Sequence, residues 1–408
     1  MPECRFCGGD AGLTFADLGT APPSNAFLRA DQLAEPETWY PLHAVVCEAC
    51  WLVQLPAFHR PADIFAPDYA YFSSFSSSWL EHARRYAGMA IERFDLGAGS
   101  SVIEIASNDG YLLRYFRDAG VPVLGIEPAR NVAEAAISSG IPTRTVFFGR
   151  EVAADMAENG ETADLVIGNN VLAHVPDLND FVAGLARLLK PTGVLTMEFP
   201  HLLRLIEGNQ FDTIYHEHFS YFSLVTARRV FARHGLRVFD VEELSTHGGS
   251  LRVFVCPEAS GRQTAPAVAK LMASERDAGL ETAGAYAAFD DNVRKVRRGL
   301  LRFLVDARDA GRTVVGYGAP AKGNTLLNAC GVRGDLIDFT VDLSPHKQGL
   351  YLPGSRIPVL APEAIDRARP DDILVLPWNL RDEIAGQLAP TAKWGARLFV
   401  PIPHVQEI

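Results

Sequence analysis

At 408 residues the chain is long enough for two or three domains, and its 48% hydrophobic and 21% charged content is ordinary for a globular protein. A formal net charge of −11 excludes a general nucleic-acid or acidic-membrane binder, which needs a basic face, but not an anionic small molecule held by a local loop. No apolar run approaches the roughly 18 to 20 residues of a membrane span, and "MPECRFCGGD" lacks the basic start and apolar core of a signal peptide, so a cytoplasmic monomer with no nucleic-acid or membrane partner is expected.

Residues 1–68 read as a first unit, rich in Pro and loop. Its "CRFC" (Cys4, Cys7) and "CEAC" (Cys47, Cys50) are two C-x2-C pairs, which present four thiolates to one tetrahedral ion. The rivals are a disulfide pair and a redox motif; an intracellular setting argues against the first, the matched pairs against the second. The expected zinc has no open coordination position and so holds the unit together without doing chemistry. Cys256 and Cys330 stand alone and read as structural.

A second unit, 69–256, begins with the aromatic, Ser-rich "DYAYFSSFSSS", then a helical spacing of Trp79, Leu80, Ala83, Tyr86, Ala87 and Ala90 that Ser76, Ser77 or Ser78 would cap. From 101 short apolar strands alternate with helices: "SVIEIA", "YLLRYFRDAG", "VPVLGIEP", a helix over 130–139, a strand near "TRTVFF", "ADLVIGNN", the helix "LNDFVAGLARLLKP" and "GVLTMEFP". That alternation predicts an α/β fold with a mainly parallel, doubly wound sheet, whose ligands sit at the carboxyl ends of the strands. "TIYHEHFSYFSLVTARRVFARHG" and "SLRVFVC" close the unit. The third unit, 257–408, opens with an Ala-rich, charged helical connector to about 310, followed by a second strand, Gly loop, helix and strand from 313.

Two loops fall where such a sheet binds ligands. "EIASNDG" places Glu104 on the strand and Ser107, Asn108 and Gly110 in the loop after it, and the next strand ends in Glu127. An acid on the first strand, a small-residue loop and an acid that can accept from both ribose hydroxyls form the layout of S-adenosylmethionine sites, although any doubly wound sheet has such a loop. Asn169 and Asn170 end the third main strand at the same edge, and His174 follows, a position where a histidine is more often structural. "TIYHEH" then packs Tyr215, His216, Glu217 and His218 into four consecutive positions. An ordinary core does not bury a Glu, so the cluster reads as proton-transfer machinery, with a His216/His218 metal pair and a purely structural cluster as rivals. "THGGSLR", with His247, Gly248 and Ser250, is either a close approach to a sugar or a hairpin turn. "GYGAPAKGN" puts Lys322 at a helix start suited to a diphosphate, and Asp342 ends the next strand, where an acid meets a ribose.

Together "CRFCG…CEAC", "YAYFSSFS", "EIASNDGYLL", "GIEP", "NNVLAHV", "YHEHFSYFS", "THGGSLR" and "GYGAPAKGNTLLN" resemble the zinc-containing, S-adenosylmethionine-dependent C-methyltransferases of nucleotide-linked 4-keto deoxysugars, in the family's order from Cys4 to about Asn379. The resemblance implies a zinc-binding module, a central class I methyltransferase domain and a C-terminal Rossmann-like domain that binds the nucleotide sugar, TDP being the expected carrier. It implies methylation of the carbon next to the ketone, at C-3, through an enolate. His218 is then the base, Tyr215 the donor to the enolate oxygen or an alternative base, and Glu217 the residue that positions the sugar. Tyr69 and His174 also match active-site positions. An NAD-dependent nucleotide-sugar epimerase or dehydratase using the 316–324 loop is the alternative; that loop departs from G-x-G-x-x-G. A non-catalytic, nucleotide-binding zinc scaffold is a further one, and a catalytic-looking cleft segment speaks against it.

Overall fold

A computed structural model of the chain describes residues 2–58 and 72–408. Tyr69 and the boundary at 68/69 lie outside the described residues. Among the described residues the α/β fold has three sheets.

The first sheet is an antiparallel meander of β1 (Leu13–Ala21), β2 (Tyr40–Val46) and β3 (Val53–Gln54), completed by β9 (Ser220–Tyr221). Residues 1–68 therefore hold more strand than their loop-rich composition suggests. The sheet is finished by the two residues that lie just past the "YHEH" cluster.

After α1 (Ser77–Phe94), capped by Ser76 accepting from Trp79 N–H, the central sheet is built by β4 (Val102–Ile105), α2 (Leu113–Asp118), β5 (Val123–Ile126), α3 (Arg130–Ser138), β6 (Thr143–Arg144), α4 (Arg150–Glu158), β7 (Ala163–Asn169), α5 (Leu178–Leu188) and β8 (Leu189–Pro200). Past α6 (Leu202–Glu207) and α7 (Leu224–Ala232), the antiparallel pair β10 (Leu236–Leu244) and β11 (Ser250–Pro257) closes it, giving the order β10-β11-β8-β7-β4-β5-β6. Its five-strand portion from β8 to β6 is parallel, as the alternating pattern predicts. The sequence boundary shifts at "LLKP": α5 ends at Leu188 and residues 189–191 already belong to β8. Pro191 has no N–H for a helical bond and would crowd the preceding turn.

The helical stretch resolves into α8 (Pro266–Asp277) and α9 (Ala283–Asp309). In α9, Tyr286, Phe289, Val293, Val296, Leu300 and Leu304 are buried at spacings of three and four, one helical face. That face covers β1: Phe15 stacks on Phe289 at 4.4 Å between centroids, and Trp51 stacks on Tyr286 at 5.7 Å. The helix is thus a core element, where the sequence reads as a connector. The third sheet combines β12 (Val314–Tyr317), α10 (Ala321–Cys330), β13 (Thr340–Val341), β14 (Val359–Leu360), α11 (Glu363–Ala368), β15 (Asp372–Val375), α12 (Arg381–Leu388), β16 (Arg397–Val400) and β17 (Gln406–Glu407), in the order β14-β13-β12-β15-β16-β17. It is Rossmann-like, parallel except for β17. One apolar core runs from β1 and β2 through α9 into this sheet, so the first and third units share an interior. No helix among the described residues is long and apolar enough to cross a membrane.

Candidate active site

The carboxyl ends of β4, β5 and β7 open into a cavity of about 1260 Å³. The loop after β4 is built from unusual backbone: Ala106 (φ 57), Asn108 (φ 49) and Gly110 (φ 75) all lie in the left-handed region. Two non-glycine residues there cost conformational energy that neighbouring contacts must offset. Glu127, at the end of β5, supplies them: its Oε2 accepts from Asn108 N–H at 2.9 Å and its Oε1 from Ala129 N–H at 2.8 Å. Asn108 Oδ1 accepts from Ser73 N–H at 2.8 Å. Asn108 and Glu127 line the cavity.

Three residues of the same motif do not. Ser107 is fully buried, its hydroxyl against Gly125, where any Cβ would fall 2.4 Å from the Ser107 Oγ. Gly110 faces Ile141, whose Cγ1 would be 2.8 Å from an added Cβ. Glu104 is fully buried on β4, with Tyr111 a polar neighbour of opposing effect. Burial, then the charges of Glu127 and Asp109, push its pKa well above the usual range, while Tyr111 opposes them. A buried acid whose charge is opposed by burial and by two neighbouring carboxylates is restored to the ionised form by a cationic group near it.

On the next strand Asn169 and Asn170 both reach the cavity. Asn170 (φ 54) donates its backbone N–H to the Glu198 carbonyl at 2.7 Å and places Nδ2 3.3 Å from His247 Nε2. His247 lines the cavity, whereas its neighbours in the turn do not. Gly248 (φ 91) packs under Trp378, whose Cη2 would lie 2.5 Å from a Cβ, and Ser250 Oγ donates to the Thr246 carbonyl at 3.0 Å.

The "YHEH" segment crosses the cavity as a turn, His218 N–H donating to the Tyr215 carbonyl at 2.8 Å. His218 Nδ1 lies 2.9 Å from the Thr213 carbonyl, an acceptor only, so Nδ1 carries the proton and Nε2 the lone pair. His174 is held the same way, Nδ1 to the Glu217 carbonyl at 2.8 Å. Its ring meets that of His218 edge-on at 4.7 Å, and the Tyr215 ring lies 4.0 Å from His218. Burial, then the neighbouring His174, hold the His218 pKa well below the ordinary imidazole value; burial lowers His174 and His247 to about 4. All three are neutral near pH 7. Burial raises the Glu217 pKa, against a 2.7 Å hydrogen bond from Asn25 Nδ2. His216 turns toward the first sheet, its Nε2 3.2 Å from the Pro41 carbonyl and its ring edge-on to Tyr40.

Among the described residues one group of three or more metal-ligating side chains forms, Cys4, Cys7, Cys47 and Cys50, whose sulfurs lie within 4.8 Å of one another; His216 and His218 are not joined by a third ligand there. The Cys4–Cys50 and Cys7–Cys47 sulfurs are 3.6 and 3.5 Å apart. Four sulfurs at roughly 2.3 Å from a tetrahedral zinc are separated by about 3.8 Å, so the cluster fits that ion.

From the third unit, Pro320, Ala321 and Lys322 close the cavity. Lys322 Nζ donates to Asn379 Oδ1 at 2.7 Å and sits 4.7 Å from the Trp378 ring centroid. Burial lowers its pKa, and the charge of Asp212 opposes that. Asp212 itself is pushed up to about 6 by burial, against Lys322 and the 2.7 Å hydrogen bond from Trp378 Nε1. Asp342 does not line the cavity; it accepts from Ala319 N–H and Ser344 N–H, both at 2.8 Å, and shapes the loop. Sequence reasoning missed Asn25, Phe27, His346 and Lys347 in the cavity wall, and Asp212, Trp378 and Asn379 around Lys322. Only "PPSN" before Phe27 offered a signal, as a turn.

Comparison with known proteins matches three families in order: "Putative zinc binding domain" over residues 4–65, "Methyltransferase domain" over 79–241 and "C-methyltransferase C-terminal domain" over 245–403. The C-methyltransferase NovU of Streptomyces niveus is 40% identical over 408 residues, covering 100% of this chain and 97% of that protein. A ubiquinone biosynthesis O-methyltransferase of Rhodopseudomonas palustris (strain BisA53) is 28% identical over 161 residues, 34% of this chain and 63% of that one.

Proposed function

Given that the chain belongs to the S-adenosylmethionine-dependent C-methyltransferases with an N-terminal zinc-binding domain, we propose that it methylates carbon 3 of a nucleotide-linked 4-keto deoxysugar, with TDP as the carrier. The observation that carries this reading is the His218 tautomer: Nδ1 is committed to the Thr213 carbonyl, so a neutral Nε2 serves the cavity.

Bound S-adenosylmethionine supplies an electrophilic methyl group. Asn108, Glu127, Asn169 and Asn170 would hold it at the ends of β4, β5 and β7, with the buried Glu104 beneath them contributing negative charge rather than direct contact. His218 Nε2 takes the proton from the carbon beside the ketone, and the C–H electron pair becomes the enolate. Tyr215 donates to the enolate oxygen as charge develops there. Glu217 accepts from a sugar hydroxyl and fixes the ring, and His174 keeps His218 neutral and oriented. Lys322 brings positive charge to the substrate's diphosphate, with His247 and the 246–250 turn forming the adjoining wall.

His218→Asn tests the assignment. We expect the fold and both ligand affinities to persist while turnover falls about 10²- to 10⁴-fold, the range of a general base. Exchange of the sugar's acidic C–H proton with deuterated solvent should fall with it. Exchange at the parent rate in a variant that no longer transfers methyl would move the base elsewhere, Tyr215 first.

A further inference from the structure

We propose that Asn25, carried by the zinc module, is a positioning residue of the active site that acts through Glu217. Asn25 Nδ2 donates to Glu217 Oε1 at 2.7 Å, and both residues line the cavity. Glu217 Oε2 makes no hydrogen bond among the described residues, so Asn25 fixes one oxygen and leaves the other for the substrate. The inference rests on the reading that Glu217 positions the sugar.

Asn25 sits in the segment joining β1 to β2, and that segment is pinned on both sides of it. Upstream, the Ser24 carbonyl accepts from Asn324 Nδ2 at 2.6 Å, and Ser24 Oγ lies 3.3 Å from Thr325 Oγ1. Downstream, Leu28 and Tyr351 exchange backbone hydrogen bonds of 3.0 and 2.8 Å. Ser24, Asn324 and Thr325 are buried. The first unit is therefore strapped to the third at the point where it touches the catalytic segment of the second. The zinc cysteines lie at the opposite end of the β1–β2 hairpin, flanking Leu13 and Val46. Cross-linking that end fixes the hairpin whose far end delivers Asn25.

The pair also has an electrostatic logic. Glu217 is buried, which favours the neutral carboxyl, and the Asn25 amide favours the carboxylate. Without Asn25 the side chain keeps its volume but loses its fixed orientation and part of its acceptor strength.

The test is a double-mutant cycle on the full-length, zinc-loaded protein, with S-adenosylmethionine and a TDP-linked 4-keto deoxyhexose. Asn25→Leu and Glu217→Gln should each cut kcat/KM for the sugar nucleotide about ten- to a hundredfold, the range of one hydrogen bond to a charged group. The dissociation constant of S-adenosylmethionine and Tm should stay near parent. The double variant should be no worse than Glu217→Gln alone, because one residue acts through the other. Asn25→Asp, the same shape with an acceptor in place of the donor, should lose at least as much as Asn25→Leu and covers the case in which Leu disturbs the strap. If Glu217→Gln is unimpaired, the role of Glu217 falls and the inference with it. If Glu217→Gln is impaired while both Asn25 variants match the parent, or the two losses multiply, the inference alone is overturned.

Discussion

Glu127 shows what a single side chain is asked to do at the cofactor edge. Its two oxygens already take the N–H groups of Asn108 and Ala129, yet a carboxylate has about four acceptor positions, so two remain for the ribose hydroxyls that the proposed function assigns to it. Burial raises its pKa and those two bonds lower it. Glu127→Ala removes the ribose acceptor and frees the strained loop at Ala106 and Asn108 together. We expect S-adenosylmethionine binding to weaken by about one to three kcal/mol, the scale of a charged hydrogen bond. Calorimetry giving parent affinity would take Glu127 out of the site. The place of this acid at a strand end was legible in the sequence; its task as the clamp of the Asn108 loop was not, because that depends on a φ no residue type dictates.

At the scale of elements, the turn at 246–249 is held from below by Glu198, near the carboxyl end of β8. Glu198 is fully buried, and its carboxylate accepts from Arg252 at 2.6 Å, from Thr246 Oγ1 at 3.0 Å and pairs with His82 Nε2 at 2.9 Å. Burial alone would raise its pKa, but His82 and Arg252 outweigh burial and hold it at about 2. A depressed carboxylate stabilises the fold above its unfolded pKa, and that contribution fades as pH falls from about 4.5 toward 2. Glu198→Gln should therefore destabilise the protein by about 3 kcal/mol near neutrality, with Arg252 left buried beside a neutral group. The parent-minus-variant gap from urea unfolding should shrink below about pH 4.5; a gap constant down to about pH 3 would remove the linkage. Activity should fall as well, since His247 loses its support. The periodicity of β8 was readable, but not that its last acid is clamped from α1 and β11, elements far apart in sequence.

For the whole molecule, the zinc cluster should act on catalysis at a distance. It is docked on the central domain by Asn179 Nδ2, which donates to the Phe6 carbonyl at 2.9 Å, and by Arg5, which donates to the Pro176 carbonyl at 2.9 Å. From there the β1–β2 hairpin runs to Asn25. We expect one zinc per chain by elemental analysis. Cys50→Ser should lower Tm and metal content and cut sugar turnover, while S-adenosylmethionine binding, seated on the ends of β4, β5 and β7, changes least. A folded, fully active sample without metal would sink this account. The apolar core continuous from β1 through α9 to the third sheet is the reason the damage should reach the substrate side first.

The sequence by itself determined the alternating strands and helices, the four zinc cysteines, the acids and amides at the strand ends and the "YHEH" cluster, because each is written in local spacing or residue chemistry. The tertiary structure alone decided which of them meet. It turned Ser107, Gly110, Gly248 and Asp342 into scaffold, since their partners are Gly125, Ile141, Trp378 and backbone N–H groups brought by other elements. It made α9 a core helix by laying it on β1. It placed Asn25 on Glu217, a contact spanning 192 positions, and only a folded β1–β2 hairpin strapped to α10 brings an ordinary loop asparagine to a buried carboxylate.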